Sequence, residues 1–165
     1  MDRRDFLKRI FGIMIGFIVL ILSGPFFSFL VSPFYSEEKK KKFVKVPDFA
    51  SIPEDTPTRM TFPYVHKDAF LTQNEFLDVW VIKHSAGEAT VYSPLCTHLS
   101  CRYDWKKSEE QFACPCHASV FDQGGKVLAG PAPRSLDTLA HKIEQGELFI
   151  QWETFKPGIP RKIAT

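Results

Sequence analysis

Two short segments decide the fold of this chain: Cys96-Thr-His-Leu-Ser-Cys101 and Cys114-Pro-Cys-His-Ala-Ser119. They contain all four cysteines of the 165-residue chain and two of its five histidines. The first segment has the pattern Cys-x-His and the second Cys-x-x-His, and each carries one further cysteine. Two thiolates and two imidazoles can hold a [2Fe–2S] cluster in which histidines replace two cysteines on one iron. Because imidazole is neutral, such a cluster accepts an electron more easily than an all-cysteine cluster.

Other chemistry is open to the same residues. Zinc binds mixed cysteine and histidine ligands in a tetrahedral site, which would make this a zinc-bearing binding module. However, Cys-x-His is an unusual zinc pair, and zinc would leave two cysteines without a role. Two disulfides would leave both histidines unexplained. The [2Fe–2S] cluster accounts for more of the pattern than either alternative.

The two segments resemble the two metal-binding boxes of the Rieske iron–sulfur proteins, and Gly130-Pro-Ala-Pro-Arg134 resembles the proline-rich loop of that family. This loop forms the third side of the cluster pocket in the family, and its prolines make it stiff. The resemblance implies one [2Fe–2S] cluster. Its implied ligands are Cys96, His98, Cys114 and His117. The other two cysteines, Cys101 and Cys116, match the disulfide that joins the two boxes in Rieske proteins of cytochrome bc complexes.

Further roles follow from the same resemblance. His117 corresponds to the ligand that meets the quinol, so we predict it to be the catalytic residue that accepts the proton of the quinol while one electron is taken. Leu99 and Pro131 are implied at the quinol-docking surface. Ser119 is implied to hydrogen-bond a bridging sulfide of the cluster.

Three positions depart from the usual boxes of the family. Ser100 and Ala118 stand where glycine is common, and Phe121 stands where many relatives have tyrosine. In those relatives the tyrosine hydroxyl bonds a ligand cysteine and raises the potential of the cluster. Phe121 therefore predicts a lower potential, which suits a low-potential quinol such as menaquinol.

The N-terminal region predicts a membrane anchor. Residues 10–36 contain no charge, and about 20 apolar residues suffice to cross a bilayer as a helix. A cleaved signal is the alternative, but the apolar run is long for one and no Ala-x-Ala-like site follows it. We therefore predict a transmembrane anchor at 10–34. The preceding Arg3-Arg-Asp-Phe-Leu-Lys8 resembles a twin-arginine export signal, except for Asp2 where serine or threonine is usual, so residues 1–9 are predicted to be cytoplasmic.

The orientation of the chain follows from the export signal rather than from counts of positive charge. Four lysines and arginines precede the anchor and five follow it closely, so the positive-inside rule does not decide. The export signal and the implied disulfide both favour an oxidising compartment. We expect a single-pass protein of the bacterial cytoplasmic (inner) membrane, with its cluster domain on the outer, periplasmic face.

Beyond the anchor, the sequence predicts a tether and one domain. The lysine-rich segment 35–46 is interpreted as a solvated tether or hinge, and 47–165 as a Rieske-type domain. The net charge of +2 gives no indication of nucleic acid as a partner. Alternation and turn signals predict an all-β antiparallel fold with the cluster loops, about 94–133, as a small subdomain. The predicted strands are 76–82, 88–92, 119–122, 126–128, 141–144 and 147–152.

The function implied by the resemblance is electron transfer in a membrane quinol–cytochrome c oxidoreductase, as its iron–sulfur subunit and not as an enzyme alone. Its implied partners are a cytochrome b subunit, an acceptor of cytochrome c or c1 type, quinol and the membrane. The alternative is the Rieske subunit of another exported oxidoreductase, of the arsenite oxidase type. Soluble ferredoxins and aromatic-ring oxygenases fit less well, because they generally lack the two extra cysteines.

Overall fold

The computed structural model describes residues 2–32, 42–68, 71–85 and 88–165. The chain divides into two compact units, Met1–Lys40 and Lys41–Thr165, which we describe separately. We call the second unit the head.

The first unit contains one helix, α1, Arg3–Val31. Its most apolar window has a mean hydropathy of 2.4, and the helix is long and apolar enough to cross a membrane. Pro25 lies inside the helix, where its missing amide donor is tolerated in membrane spans. The helix begins seven residues before the predicted anchor at 10–34, and residues 33 and 34 lie outside the described part of the chain.

The head is all-β and antiparallel, as the sequence predicts, and its described residues form three sheets. The first has the order β1 (Phe43–Val46), β10 (Glu147–Gln151), β9 (His141–Glu144). The second runs β2 (Thr58–Asp68), β3 (Leu71–Ser85), β4 (Glu88–Tyr92). The third runs β5 (Asp104–Lys106), β6 (Gln111–Ala113), β7 (Val120–Asp122), β8 (Val127–Ala129). A short 3₁₀ helix, Phe49–Ser51, follows β1.

The structure corrects the predicted start of the head. Strand β1 occupies Phe43–Val46, the end of the segment interpreted as a tether, and it pairs with β10. Val46 is fully buried, and Lys45 Nζ lies 2.5 Å from Glu147 Oε1 on the neighbouring strand. The first strand of the head therefore begins at Phe43, inside the segment interpreted as a tether. Residues 35–41 of the predicted tether lie outside the described residues.

Strand β3 separates two hydrophobic cores, because successive side chains of a strand point to opposite faces. Val79 and Val81 belong to one core, which includes residues of β1 and β10. Trp80 and Ile82 belong to the other core, which includes Cys96 and Cys114 together with aromatic residues of the third sheet. Cys96 and Cys114 are thus packed against aromatic side chains in the second core.

Candidate metal centre

Each box forms a six-residue loop with the same closure. The Cys96 amide donates to the carbonyl of Cys101 at 2.8 Å, and the Cys114 amide donates to the carbonyl of Ser119 at 2.9 Å. In both loops the first cysteine is therefore held by the residue five positions later. The cysteine and histidine side chains of the two loops are therefore carried by backbones with the same closing hydrogen bond.

The fifth residue of each loop has a left-handed backbone. The φ angle is 58° at Ser100 and 53° at Ala118. These are the two positions where the sequence departs from the glycine common in the family. Glycine adopts positive φ without cost, whereas other L-residues lose about 1–2 kcal/mol there. The left-handed turn explains the preference for glycine at both positions.

The four cysteines divide into two classes. Cys101 and Cys116 form a disulfide, which confirms the predicted pairing. Cys96 and Cys114 are free and buried, with exposed fractions of 1% and 3%. The sulfur of Cys114 lies within 4.8 Å of both disulfide sulfurs, but those two are bonded to each other. Only Cys96 and Cys114 therefore have thiols available for a metal.

Burial is the largest influence on the Cys96 thiol and raises its pKa. The backbone amide of His98 lowers this pKa, and the neighbouring Cys114 raises it. The two thiols are thus close enough to oppose each other's ionisation. A bound cation would reverse this penalty, because it favours the thiolate form of both groups.

The two histidines of the boxes lie side by side. Their ring centroids are 4.8 Å apart and their planes are nearly perpendicular. His117 is exposed, whereas Nδ1 of His98 is buried and has no hydrogen-bond partner among the described residues. The hydroxyl of Ser119 is likewise buried, and within the described part of the chain it acts only on the Cys96 thiol, whose pKa it lowers. Buried polar atoms normally have a partner, so Nδ1 of His98 indicates a group that the protein binds here.

These observations fit the [2Fe–2S] cluster that the sequence predicts. Two buried thiols and two adjacent imidazoles supply the mixed donor set that such a cluster needs, and the remaining cysteines are used in the disulfide. The unpartnered nitrogen of His98 is chemically suited to an iron, and the hydroxyl of Ser119 can donate to a sulfide. The ligand assignment remains a prediction.

The proline-rich loop packs directly on the second box. Gly130 has a φ of 90°, and a Cβ atom there would lie 2.5 Å from both the carbonyl oxygen of Ala118 and the Cα atom of Ser119. Only glycine allows this approach. Leu99 and Pro131 are both exposed, as residues of a docking surface must be, but their role stays a prediction.

Aromatic residues pack in the same core as the two free cysteines. Phe121 is fully buried in their core, and its ring centroid lies 6.1 Å from that of Tyr103. The Tyr103 hydroxyl donates to the carbonyl of Ser93 at 2.6 Å, and burial raises the pKa of Tyr103 well above its ordinary value. Sequence reasoning missed this role of Tyr103, because its ring packs against residues more distant in the chain.

The other histidines make ordinary contacts. Exposed His84 contacts Asp55 at 3.2 Å and Thr90 at 2.8 Å, and Nδ1 of His141 lies 3.2 Å from a backbone carbonyl. The side chain of His66 lies outside the described residues.

Comparisons with known proteins show which family this chain resembles. The family profile described as the Rieske [2Fe-2S] domain matches residues 43–140. The menaquinol:cytochrome c reductase iron-sulfur subunit of Geobacillus thermodenitrificans is 30% identical over 152 residues, covering 90% of this chain and 89% of the relative. The cytochrome b6-f complex iron-sulfur subunit of Chlorobaculum tepidum is 29% identical, covering 90% and 75%. The crystal structure of the plasma membrane Rieske protein PetC3 from Synechocystis PCC 6803 is 26% identical, with a TM-score of 0.45, covering 67% of this chain and 99% of that one.

Proposed function

Because the chain belongs to the Rieske [2Fe-2S] family, we propose that it is the iron–sulfur subunit of a membrane quinol–cytochrome c oxidoreductase. The head binds one Rieske-type [2Fe–2S] cluster, which supplies one-electron redox chemistry. Cys96 and Cys114 would hold one iron, and His98 and His117 the other. The observation that carries the proposal is the pair of adjacent imidazoles, one of them exposed, on the same two loops that carry two buried free thiols.

The exposed ring of His117 is suited to meet the quinol. When one nitrogen of the imidazole is bound to iron, the second can accept a hydrogen bond, and then the proton of a quinol hydroxyl, once it has lost its own proton; the transfer would return the ring to neutral imidazole. Exposed Leu99 and Pro131 would offer apolar surface to the quinol ring. The electron of the quinol would then pass to a cytochrome c or c1-type acceptor beside a cytochrome b subunit.

The proposed location of the head is the outer face of the cytoplasmic membrane. The Cys101–Cys116 disulfide supports an oxidising compartment, and α1 is suited to a single membrane span. The twin-arginine-like segment beginning at Arg3 supports export after folding, which a cluster assembled in the cytoplasm requires. Menaquinol is favoured as the quinol, because Phe121 provides no hydroxyl to raise the potential.

The proposal can be tested with the full chain in its own membranes. Electron paramagnetic resonance of quinol-reduced membranes should show the low-g signal of a mixed-ligand cluster in the wild type. His98→Ala and His117→Ala should each lose it, because an iron that lacks one ligand is open to hydrolysis. The matched control is His84→Ala, an exposed histidine of β3 that lies outside both boxes.

Activity then separates a quinol–cytochrome c reductase from other exported oxidoreductases. Wild-type membranes should reduce cytochrome c with menaquinol, and His84→Ala membranes should do so at the same rate. A signal that persists in His98→Ala would refute the ligand assignment. A normal signal without any quinol-dependent reduction of cytochrome c would instead refute the proposed function, and reduction by arsenite would support the alternative.

A further inference from the structure

A buried ion pair joins Arg134, the last residue of the proline-rich loop, to Asp137. Arg134 donates from Nε to Asp137 Oδ1 at 3.0 Å and from Nη2 to Asp137 Oδ2 at 2.7 Å. The two side chains are only 9% and 6% exposed. Two parallel bonds of this kind fix the guanidinium plane. A buried pair is often no more stabilising than apolar residues, so stability alone does not account for this one.

The guanidinium also binds the C-terminal segment, by which we mean residues 154–165. Arg134 Nη1 donates to the carbonyl of Ile159 at 2.5 Å, and Nη2 donates to the carbonyl of Lys156 at 3.1 Å. The segment folds back on itself, because the Lys156 amide donates to the carbonyl of Ile163 at 2.9 Å. This segment lies beyond the residues 43–140 that the family profile matches.

The C-terminal segment in turn holds the first box. The Gly158 amide donates to the carbonyl of Thr97 at 2.9 Å, and the hydroxyl of Thr97 donates to the carbonyl of Arg134 at 2.8 Å. Thr97 is 1% exposed and lies between Cys96 and His98. The contacts therefore form a closed ring: Arg134 holds the C-terminal segment, that segment holds Thr97, and Thr97 holds Arg134.

We propose that Arg134 is a positioning residue that, through the C-terminal segment, fixes the backbone between Cys96 and His98 and so keeps the first box closed around the bound group. The inference rests on the proposed ligation by these two residues. Arginine is required because one planar group must serve two carboxylate oxygens and two carbonyls at once. Lysine, with a single ammonium, cannot reproduce this geometry.

The experiment compares Arg134→Lys with wild type in the full-length, cluster-loaded protein. Loss of the low-g signal in the presence of an iron chelator should be about tenfold faster in the variant, because several hydrogen bonds to a charged group are lost. The midpoint potential should rise, because water that reaches an opened loop stabilises the more negative reduced state. Arg161→Lys is the matched control, since Arg161 is exposed within the same segment, and both quantities should stay at the wild-type value.

Hydrogen exchange of backbone amides provides a readout that does not need the cluster. Arg134→Lys should speed exchange in residues 94–101 and 154–165 but not in β2 and β3. Thr97→Val should give a smaller effect of the same kind, and the double variant should fall short of the sum, because both residues act in one ring.

Two results would overturn the proposal: wild-type rates in Arg134→Lys, or exchange that is equally faster in β2 and β3, which would indicate general destabilisation. Absence of a low-g signal from the wild type would refute the proposed function instead, and the exchange measurement would still decide the role of Arg134.

Discussion

At the scale of single residues, the hydroxyl groups around Cys96 and Cys114 have different partners. Ser119 Oγ is buried beside the Cys96 thiol and has no other hydrogen-bond partner among the described residues, so it is available to the bound group. The Tyr103 hydroxyl lies in the same core but is already donated to Ser93. It therefore does not replace the hydroxyl that Phe121 lacks.

We expect Phe121→Tyr to raise the midpoint potential of the cluster by an amount on the order of tens of millivolts. A hydrogen bond to a ligand sulfur strengthens when the cluster gains negative charge, so it favours the reduced state. Ser119→Ala should lower the potential for the same reason. Redox-monitored electron paramagnetic resonance of the full chain measures both shifts. An unchanged potential, with the new hydroxyl shown to reach the sulfur of Cys96, would contradict this explanation.

The buried hydroxyl of Tyr103 predicts a dependence of stability on alkaline pH. Burial raises the pKa of Tyr103 above its ordinary 10.0 in the folded state. The resulting stability is fully present below the unfolded pKa and is lost as pH rises through the folded pKa. Tyr103→Phe should therefore show a smaller fall in the free energy of unfolding above about pH 10.

The same substitution should cost about 1 kcal/mol near neutral pH, because the bond to the Ser93 carbonyl is lost. Denaturant unfolding of the full chain in detergent, at several pH values, measures both effects. Equal alkaline slopes for the variant and the wild type would argue against this role of Tyr103.

The candidate ligands could be proposed from the sequence because each loop carries its cysteine and histidine within four consecutive residues. The ring around Arg134 was not, because it joins residues 97, 134 and 158, and spacing along the chain carries no information about such contacts. Ser100 and Ala118 show an intermediate case. Their departure from glycine was visible in the sequence, but the left-handed φ that explains it is a property of the folded loop.

At the scale of elements, the strands bounded by clear turn signals were predicted, and the others were not. The hairpins on either side of residues 123–125 and of 145–146 were confirmed. Strand β2 was missed because it contains Pro63, which argues against a strand. Strand β1 was taken for a tether because lysines precede and interrupt it. Lysine is in fact well suited to an edge strand, where it discourages pairing with other chains.

The contact between the proline-rich loop and the second box gives a prediction at this scale. Gly130→Ala should displace the loop, because the new methyl group would meet backbone atoms at 2.5 Å that cannot move independently. Gly146→Ala is the matched control: φ is 78° there, but nothing lies within 4 Å.

The control should cost only the backbone strain of about 1–2 kcal/mol and keep its cluster. Gly130→Ala should lose most of its cluster and unfold at a clearly lower temperature. Iron content and thermal unfolding of the two variants provide the measurement. Equal behaviour would mean that the close approach at Gly130 has no structural importance.

At the scale of the whole molecule, the chain combines a helix suited to a membrane with a head closed by a disulfide. Changing both Arg3 and Arg4 to lysine should trap a cluster-loaded precursor on the cytoplasmic face, because the proposed export route recognises the arginine pair. Arg9→Lys is the control. Protease added from the outside should cleave the head in the control but not in the double variant. Normal cleavage in the double variant would refute the twin-arginine interpretation.

The pairing of β1 with β10 also determines when the first sheet of the head can form during biosynthesis. Val46 is paired with Leu148, a residue 102 positions later in the chain, so the first strand of the head waits for its partner while both other sheets are being synthesised. Contacts so distant in sequence form slowly. During biosynthesis, this edge of the first sheet can therefore be completed only after Leu148 has been made. A transport system that accepts only finished domains would hold this chain at least until that step, so we expect export only after β1 has paired.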